Sequence, residues 1–326
     1  MLHPPRLTRR QAIAALAGTA AAPYLAAYGL EASPLAYELK PQKLVDGVWL
    51  IAGAQEAITR DNGGAIANCC ILDSKAGAIV IDTGPSLRYG EALASLAREL
   101  TKKDIARVYI THMHPDHMFG NQAFKADIIA SSQGVVDGIK AMGAAFSDAM
   151  YFAAGDWMRG TEPVLPARIL TGEAEDFGDR RIRPLLMRGH TDSDLALFDE
   201  ASGILFAGDL VFLDRAPTTP HADIERWRIT LANLGGIPHG LLVPGHGPAE
   251  PGNRGTEQTR RWLETIEPQI KDAFDKGLDV AETSALPLPE WTNTVALARY
   301  EYERSVMHLY PKLEATRWPR VDQKDG

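Results

Sequence analysis

Seven consecutive residues, Thr111-His112-Met113-His114-Pro115-Asp116-His117, constrain this chain more than any other stretch. They follow Arg107–Ile110, a short apolar run that reads as a β-strand. At a strand end, residues two apart point to the same side, so His112 and His114 can meet one ion while Met113 turns into packing. Pro115 stops the strand and suits the first position of a helix. That turn carries Asp116 and His117 to another side of the same cavity, where a second ion fits. Imidazole with carboxylate suits zinc, or a related divalent transition metal, rather than calcium. A fold for this chain must therefore present a strand end at a cavity rim.

Other ligand-type side chains stand at the ends of other expected strands. His190 follows the run Arg180–Met187, and His246 follows Leu241–Val243, each in a glycine-flanked turn that lets the backbone approach an ion. Asp209 ends the apolar run Phe206-Ala207-Gly208, and Asp82 follows Ala78–Ile81. Further strands are expected at Val48–Ala52, Ile66–Leu72, Leu195–Asp199 and Ile204–Ala207. A helix with Ser86 as N-cap is expected over Ser86–Leu100, and residues 131–160 read as helix and loop. After Pro251 the pattern turns helical, over Thr256–Lys276 and Thr294–Tyr310. Two strand-rich blocks, each followed by helices, point to two packed sheets with helices outside.

Charge and composition narrow the function classes. The formal charge is −8 with no basic stripe, which argues against a nucleic-acid binder. No apolar run has the length of a membrane span. Two adjacent cysteines, Cys69 and Cys70, can build neither a disulfide framework nor a four-cysteine zinc site, and they read as buried small hydrophobes. The N-terminus carries Arg6, Arg9 and Arg10, then a modest Ala/Leu stretch and small residues. Residues 1–32 therefore read as an export signal of twin-arginine type, and the expected destination is the periplasm.

The segments IDTG with Asp82, THMHPDH, GH with His190, GD with Asp209 and PGHG with His246 occur in order, and together they resemble the five motifs of the metallo-β-lactamase-fold hydrolases. The resemblance implies an α/β (α+β) fold, a four-layer αββα sandwich over residues 38–250, with residues 251–326 as a C-terminal helical extension packed on it. It implies one ion on His112, His114 and His190, a second on Asp116, His117 and His246, and Asp209 bridging the two. Asp82 would orient the ligands. An aspartate at position 209 is uncommon in the β-lactamases proper and frequent in other hydrolases of this fold, so an antibiotic-degrading role is disfavoured. The segments KPQKLVDGVWLIAG, GDWMRGTE, FAGDLVFLDRAPTTPHADIERW and SVMHLYPKLEA further resemble the quinoprotein relay system zinc metallohydrolases, first subtype, near the SoxH-like group.

The expected enzyme is a metal-dependent hydrolase holding two zinc ions. It would cleave a small ester, thioester, lactone or amide with a hydroxide held between the ions, Asp116 managing the proton. The resemblance also implies a functional link to periplasmic quinoprotein dehydrogenases. Two other functions compete. The same donors can hold a single iron, as in persulfide dioxygenase relatives, and the fold can serve as a non-catalytic carrier or maturation factor for a cofactor. His221, Trp157 and Arg159 are candidate substrate contacts. His3, His239 and His308 read as non-ligands. Neither the substrate nor the oligomeric state follows from the residues.

Overall fold

The computed structural model describes residues 35–317; the expected export signal, residues 1–32, lies outside the described residues. Seven strands form the first sheet in chain order. They are β1 (Pro41–Val45), β2 (Val48–Ile51), β3 (Cys69–Leu72), β4 (Ala78–Ile81), β5 (Ile105–Tyr109), β6 (Ile129–Ser131) and β7 (Arg168–Ile169). The first four are antiparallel, and pairing becomes parallel from β4 to β7. The second sheet has the order β12-β11-β10-β9-β8. Its strands are β8 (Glu175–Asp176), β9 (Arg181–Met187), β10 (Asp194–Asp199), β11 (Ile204–Phe212) and β12 (Leu241–His246).

Alternation along β4 explains why it is buried on both faces. Ile79 and Ile81 point between the sheets with Leu197 and Phe206, while Ala78 and Val80 point outward to α1 (Leu87–Thr101) and α3 (Gln133–Ala154). A four-residue helix, α2 (Pro115–Met118), lies between them in sequence. On the outer face of the second sheet pack α4 (Ile224–Gly235), α5 (Arg254–Asp275) and α7 (Ala298–Arg317), through Trp227, Trp262, Ile266 and Tyr302. Short α6 (Val280–Ser284) starts with a capping box between Asp279 and Glu282. The layers are thus helix, sheet, sheet, helix, and the helices after Pro251 belong to the same compact unit as the sandwich, from Tyr37 onward. Among the described residues, no helix is long and apolar enough to cross a membrane.

Four local expectations differ from the structure, each for a physical reason. The expected strand Ile66–Leu72 begins only at Cys69. Asn68 instead spends its amide on the carbonyls of Pro244 and Gly247, and Ile66 offers its carbonyl to His246, so this stretch straps the end of β12. Strand β11 runs on to Phe212 instead of ending at Ala207. Its register shifts on both sides of Gly208, whose φ of 53° marks a bulge that re-aims the following Asp209. His112 and His114 lie past the end of β5, in the loop before α2, and His246 is the last residue of β12. Helix α4 was not expected. It carries one clear signal, Asp223 as N-cap accepting from the Arg226 backbone at 3.0 Å.

The loop after β4 is laced to α2 and the turn behind it. Thr83 N donates to the His117 carbonyl at 2.8 Å, and Gly120 N to the Gly84 carbonyl at 3.0 Å. A Cβ on Gly120 would sit 2.0 Å from the Thr83 carbonyl oxygen, a backbone atom with no freedom to yield. Gly120→Ala is therefore expected to destabilise the fold by about 1–3 kcal/mol, as overpacking does. Urea unfolding monitored by circular dichroism will register this as a lowered midpoint, and an unchanged midpoint would contradict the tight approach.

Candidate metal centre

Five segments converge at one edge of the two sheets. The loop after β4 brings Asp82, whose φ of 58° places a non-glycine residue in the left-handed region. The loop after β5 and the first turn of α2 bring His112, His114, Asp116 and His117. The turn between β9 and β10 brings His190, the β11 bulge brings Asp209, and the end of β12 brings His246. All of these are buried, His117 and His190 completely so.

The donor atoms fall into two groups, each within 4.8 Å: His112, His114, His190 and Asp209 in one, Asp116, His117 and His246 in the other. Asp209 Oδ2 is 3.7 Å from His112 Nε2 and 3.3 Å from His190 Nε2. Its other oxygen, Oδ1, is 3.1 Å from His117 Nε2, and Oδ2 is also 3.3 Å from His246 Nε2. Asp209 therefore lies between the groups. Asp116 Oδ2 is 3.3 Å from His246 Nε2 and 3.7 Å from His117 Nε2. Donors about 2.1 Å from a tetrahedral ion stand roughly 3.4 Å apart, so these spacings suit such ions.

Unsatisfied atoms point the same way. His112 Nε2, His117 Nε2 and Asp209 Oδ1 are buried and have no hydrogen-bond partner. Buried polar atoms without partners are costly, and a cation at their convergence relieves that cost. The far sides of the rings are anchored. Asp82 accepts from Thr111 N and Thr111 Oγ1, both at 2.8 Å, and lies 2.7 Å from His117 Nδ1. Thr111 Oγ1 also lies 3.0 Å from His112 Nδ1, so one carboxylate steadies two rings. His246 donates from Nδ1 to the Ile66 carbonyl at 2.8 Å and stacks on Phe212. His190 packs edge-on against Trp227, and Asp194 ties the turn behind it by accepting from Thr191 Oγ1 at 2.8 Å. Burial pushes the Asp194 carboxyl up to about 7.

The two groups differ electrostatically. Burial holds His112, His114 and His190 well below the ordinary imidazole range, so they are neutral at pH 7. Burial also opposes a charge on His117, but Asp209, Asp82 and Asp116 outweigh it and raise that ring well above the range. His246 is raised too, Asp209 prevailing over burial and over the charge of Arg215. Burial disfavours ionised Asp116 and Asp209, yet His117 and His246 hold both well below the usual carboxylate range.

A cavity of about 430 Å³ opens onto His114, Asp116, Asp209 and His246. His221 lines it, with Nδ1 2.8 Å from His114 Nε2. Trp157 and Arg159 do not line it. Trp157 donates to the Arg60 carbonyl at 2.8 Å and packs on Tyr37, and Arg159 pairs with Asp156 in solvent. His308, which had no sign of function in the sequence, lines the cavity from α7, whereas His239 hydrogen-bonds the Ile237 carbonyl away from it. Thr111 and Arg215 were also missed. The threonine has a legible signal in its place between Asp82 and His112, whereas a lone arginine in a loop has none.

The chain belongs to the metallo-beta-lactamase superfamily, whose sequence pattern matches residues 62–246 and so spans every donor named above. It is a metal-dependent hydrolase of that superfamily. It is 29% identical over 207 residues to the protein named acyl-coenzyme A thioesterase MBLAC2 of Homo sapiens, covering 55% of this chain and 72% of that protein. The Gallus gallus protein of the same name is 25% identical over 183 residues, covering 51% of this chain and 57% of that one. The solved metallo-beta-lactamase of Pontibacter korlensis superposes with a TM-score of 0.58 at 20% identity, over 70% of this chain and 99% of that one. FIM-1 of Pseudomonas aeruginosa, in its mono-zinc form, does so with a TM-score of 0.55 at 18% identity, over 71% of this chain and 97% of that one. At these identities the structures establish the fold alone.

The charge asymmetry carries a pH prediction. Asp209 and its neighbouring carboxylates raise His117 and, less far, His246, so a cation at that group competes with protons more than one at the other group does. Metal at that group binds more weakly as pH falls, while the neutral trio still binds. Metal content measured by atomic emission after dialysis at stepped pH should fall in separate steps, with the Asp116, His117 and His246 group releasing its ion at the higher pH. Loss of both ions in a single step would contradict the asymmetry.

Proposed function

We propose that the chain is a dinuclear zinc hydrolase acting on small acyl thioesters, with esters, lactones and amides as lesser substrates. The observation that carries this is Asp209, whose carboxylate lies within 3.1–3.7 Å of nitrogens from both donor groups. In this reading His112, His114 and His190 hold one ion, Asp116, His117 and His246 the other, and Asp209 is shared. The relatives named as acyl-coenzyme A thioesterases support the thioester class.

When bound, such a metal pair supplies Lewis acidity toward an acyl carbonyl and a nucleophilic water at neutral pH. The protein's own part is positional. Asp82 and Thr111 fix the rings of His117 and His112 through their Nδ1 atoms. With His114 turned toward the trio by Nδ1, its Nε2–H donates to His221, which fixes that ring. Asp116 is ionised and lines the cavity, so its carboxylate orients the attacking water, takes its proton and passes it to the leaving thiolate.

Zinc-loaded protein is expected to hydrolyse short acyl thioesters, followed by release of free thiol. Asp116→Asn should lower kcat by about 10²–10⁴-fold. Zinc analysis of the variant separates a catalytic loss from a lost ion. Chelation should abolish activity and zinc restore it. Near-stoichiometric iron with oxygen uptake on a persulfide, and no thioester cleavage, would favour the dioxygenase alternative. Retention of the physiological phenotype by Asp116→Asn would favour a carrier.

The finer assignment to the quinoprotein relay metallohydrolases, and export through residues 1–32, are part of the same proposal. They rest on segments such as FAGDLVFLDRAPTTPHADIERW and on the twin arginines Arg9 and Arg10. A reporter fused to residues 1–35 should reach the periplasm. Its retention in the cytoplasm would remove the export reading.

A further inference from the structure

The cavity above the donor groups has two unlike walls. One is apolar, made by Ile58 and Ile66 with Phe146 and Met150 of α3. The other comes from the loop after β11 and from α7, and it carries Arg215, Thr218, Arg304 and His308. A parallel bridge between Arg215 and Ala296 ties that loop to the residues just before α7, and Ala216 N donates to the Ala296 carbonyl at 2.9 Å.

Arg215 is an unusual residue to find in such a wall. It is 3% exposed, and its Nε and Nη1 have no hydrogen-bond partner. Its nearest carboxylate, Glu301, lies 3.8 Å from Nη2, beyond hydrogen-bond reach. Both Glu301 oxygens are engaged instead by Arg304 Nη1, at 3.1 and 3.0 Å. The Thr218 hydroxyl in the same wall is also buried without a partner. Two arginines share one carboxylate, so the wall keeps a net positive charge and unspent donors. A buried guanidinium with free N–H groups is costly until an anion meets it.

We infer that Arg215 and Arg304, with the Thr218 hydroxyl, form a recognition site for a carboxylate or phosphate on the substrate, whose alkyl part lies against the Ile58–Phe146 wall. This rests on the thioesterase reading above and narrows its substrate class to short acyl thioesters bearing an anionic group. A cavity of about 430 Å³ holds a chain of a few carbons with its anion. The anion can sit on the acyl part or on the leaving thiol, and the same contacts serve either.

Three thioesters separate these cases on the zinc-loaded protein: neutral S-phenyl thiobutyrate, mono-S-phenyl thioglutarate with a carboxylate on the acyl side, and S-butyryl 4-mercaptobenzoate with one on the thiol. At least one anionic substrate should exceed the neutral one in kcat/KM by about 10-fold or more, the worth of charge-assisted hydrogen bonds. Arg304→Met, with a thermal melt to report the cost of leaving buried Glu301 to Arg215 alone, should remove most of that preference and change the neutral substrate much less. Arg215→Met should do the same, more strongly, with zinc content unchanged. Equal losses on all three substrates, or no anionic preference in the wild type, would overturn the inference and leave the hydrolase reading standing. If none of the three turns over, the hydrolase reading falls instead. Calorimetric binding of glutarate then decides the inference, which stands if Arg304→Met weakens binding about 5-fold or more and falls if it does not.

Discussion

Everything at the sheet edge depends on how a shared carboxylate is held among buried imidazoles. Asp209 faces four rings, those of His112, His117, His190 and His246. The bulge at Gly208 re-aims residue 209 away from the direction a regular strand would give it. The aromatic backing of Phe212 and Trp227 then fixes His246 and His190 on either side, and Asp82 with Thr111 fixes the rings from the opposite sheet. Each sheet thus supplies donors to both groups. The sandwich is in effect a clamp whose two jaws close on one acid.

The site was far more legible in the sequence than the cavity around it. Donors are chemically distinctive, and the fold brings every one of them to the same edge because they follow strands or turn out of them. The rule that strand residues two apart share a face pairs His112 with His114, and the two do fall in one donor group, although both lie in the loop past β5. The register shift in β11 left no periodic trace, so that strand was read too short. Apolar runs such as Ile66–Leu72 resemble a full strand whether or not the backbone finds a sheet partner. Here Asn68 found the end of β12 instead. Substrate contacts were harder still. Trp157 looked like a cavity residue by type, but its indole is committed to the Arg60 carbonyl. Arg215 and His308 acquire meaning only through the approach of α7, a contact between segments about eighty residues apart in sequence that no local pattern announces.

The superfamily pattern covers the donors but not the C-terminal helices. The pattern ends at residue 246, with the last donor, and α5, α6 and α7 lie beyond it. Those helices do more than cover the second sheet. Through Trp262 and Ile266 they complete its outer core, and through Arg304 and His308 they reach round to the cavity.

The bridge between Arg215 and Ala296 has a consequence for how such a protein can change over time. It ties the loop between Asp209 and His246 to the residues before α7, so part of the cavity wall comes from a segment outside the stretch that carries the donors. On the proposal above, substitutions along α7 would alter which molecules are admitted while leaving the donor side chains in place, so new specificities would be reachable in small steps. Inheritance in a lineage of this kind would be conservative in its chemistry and inventive in its diet.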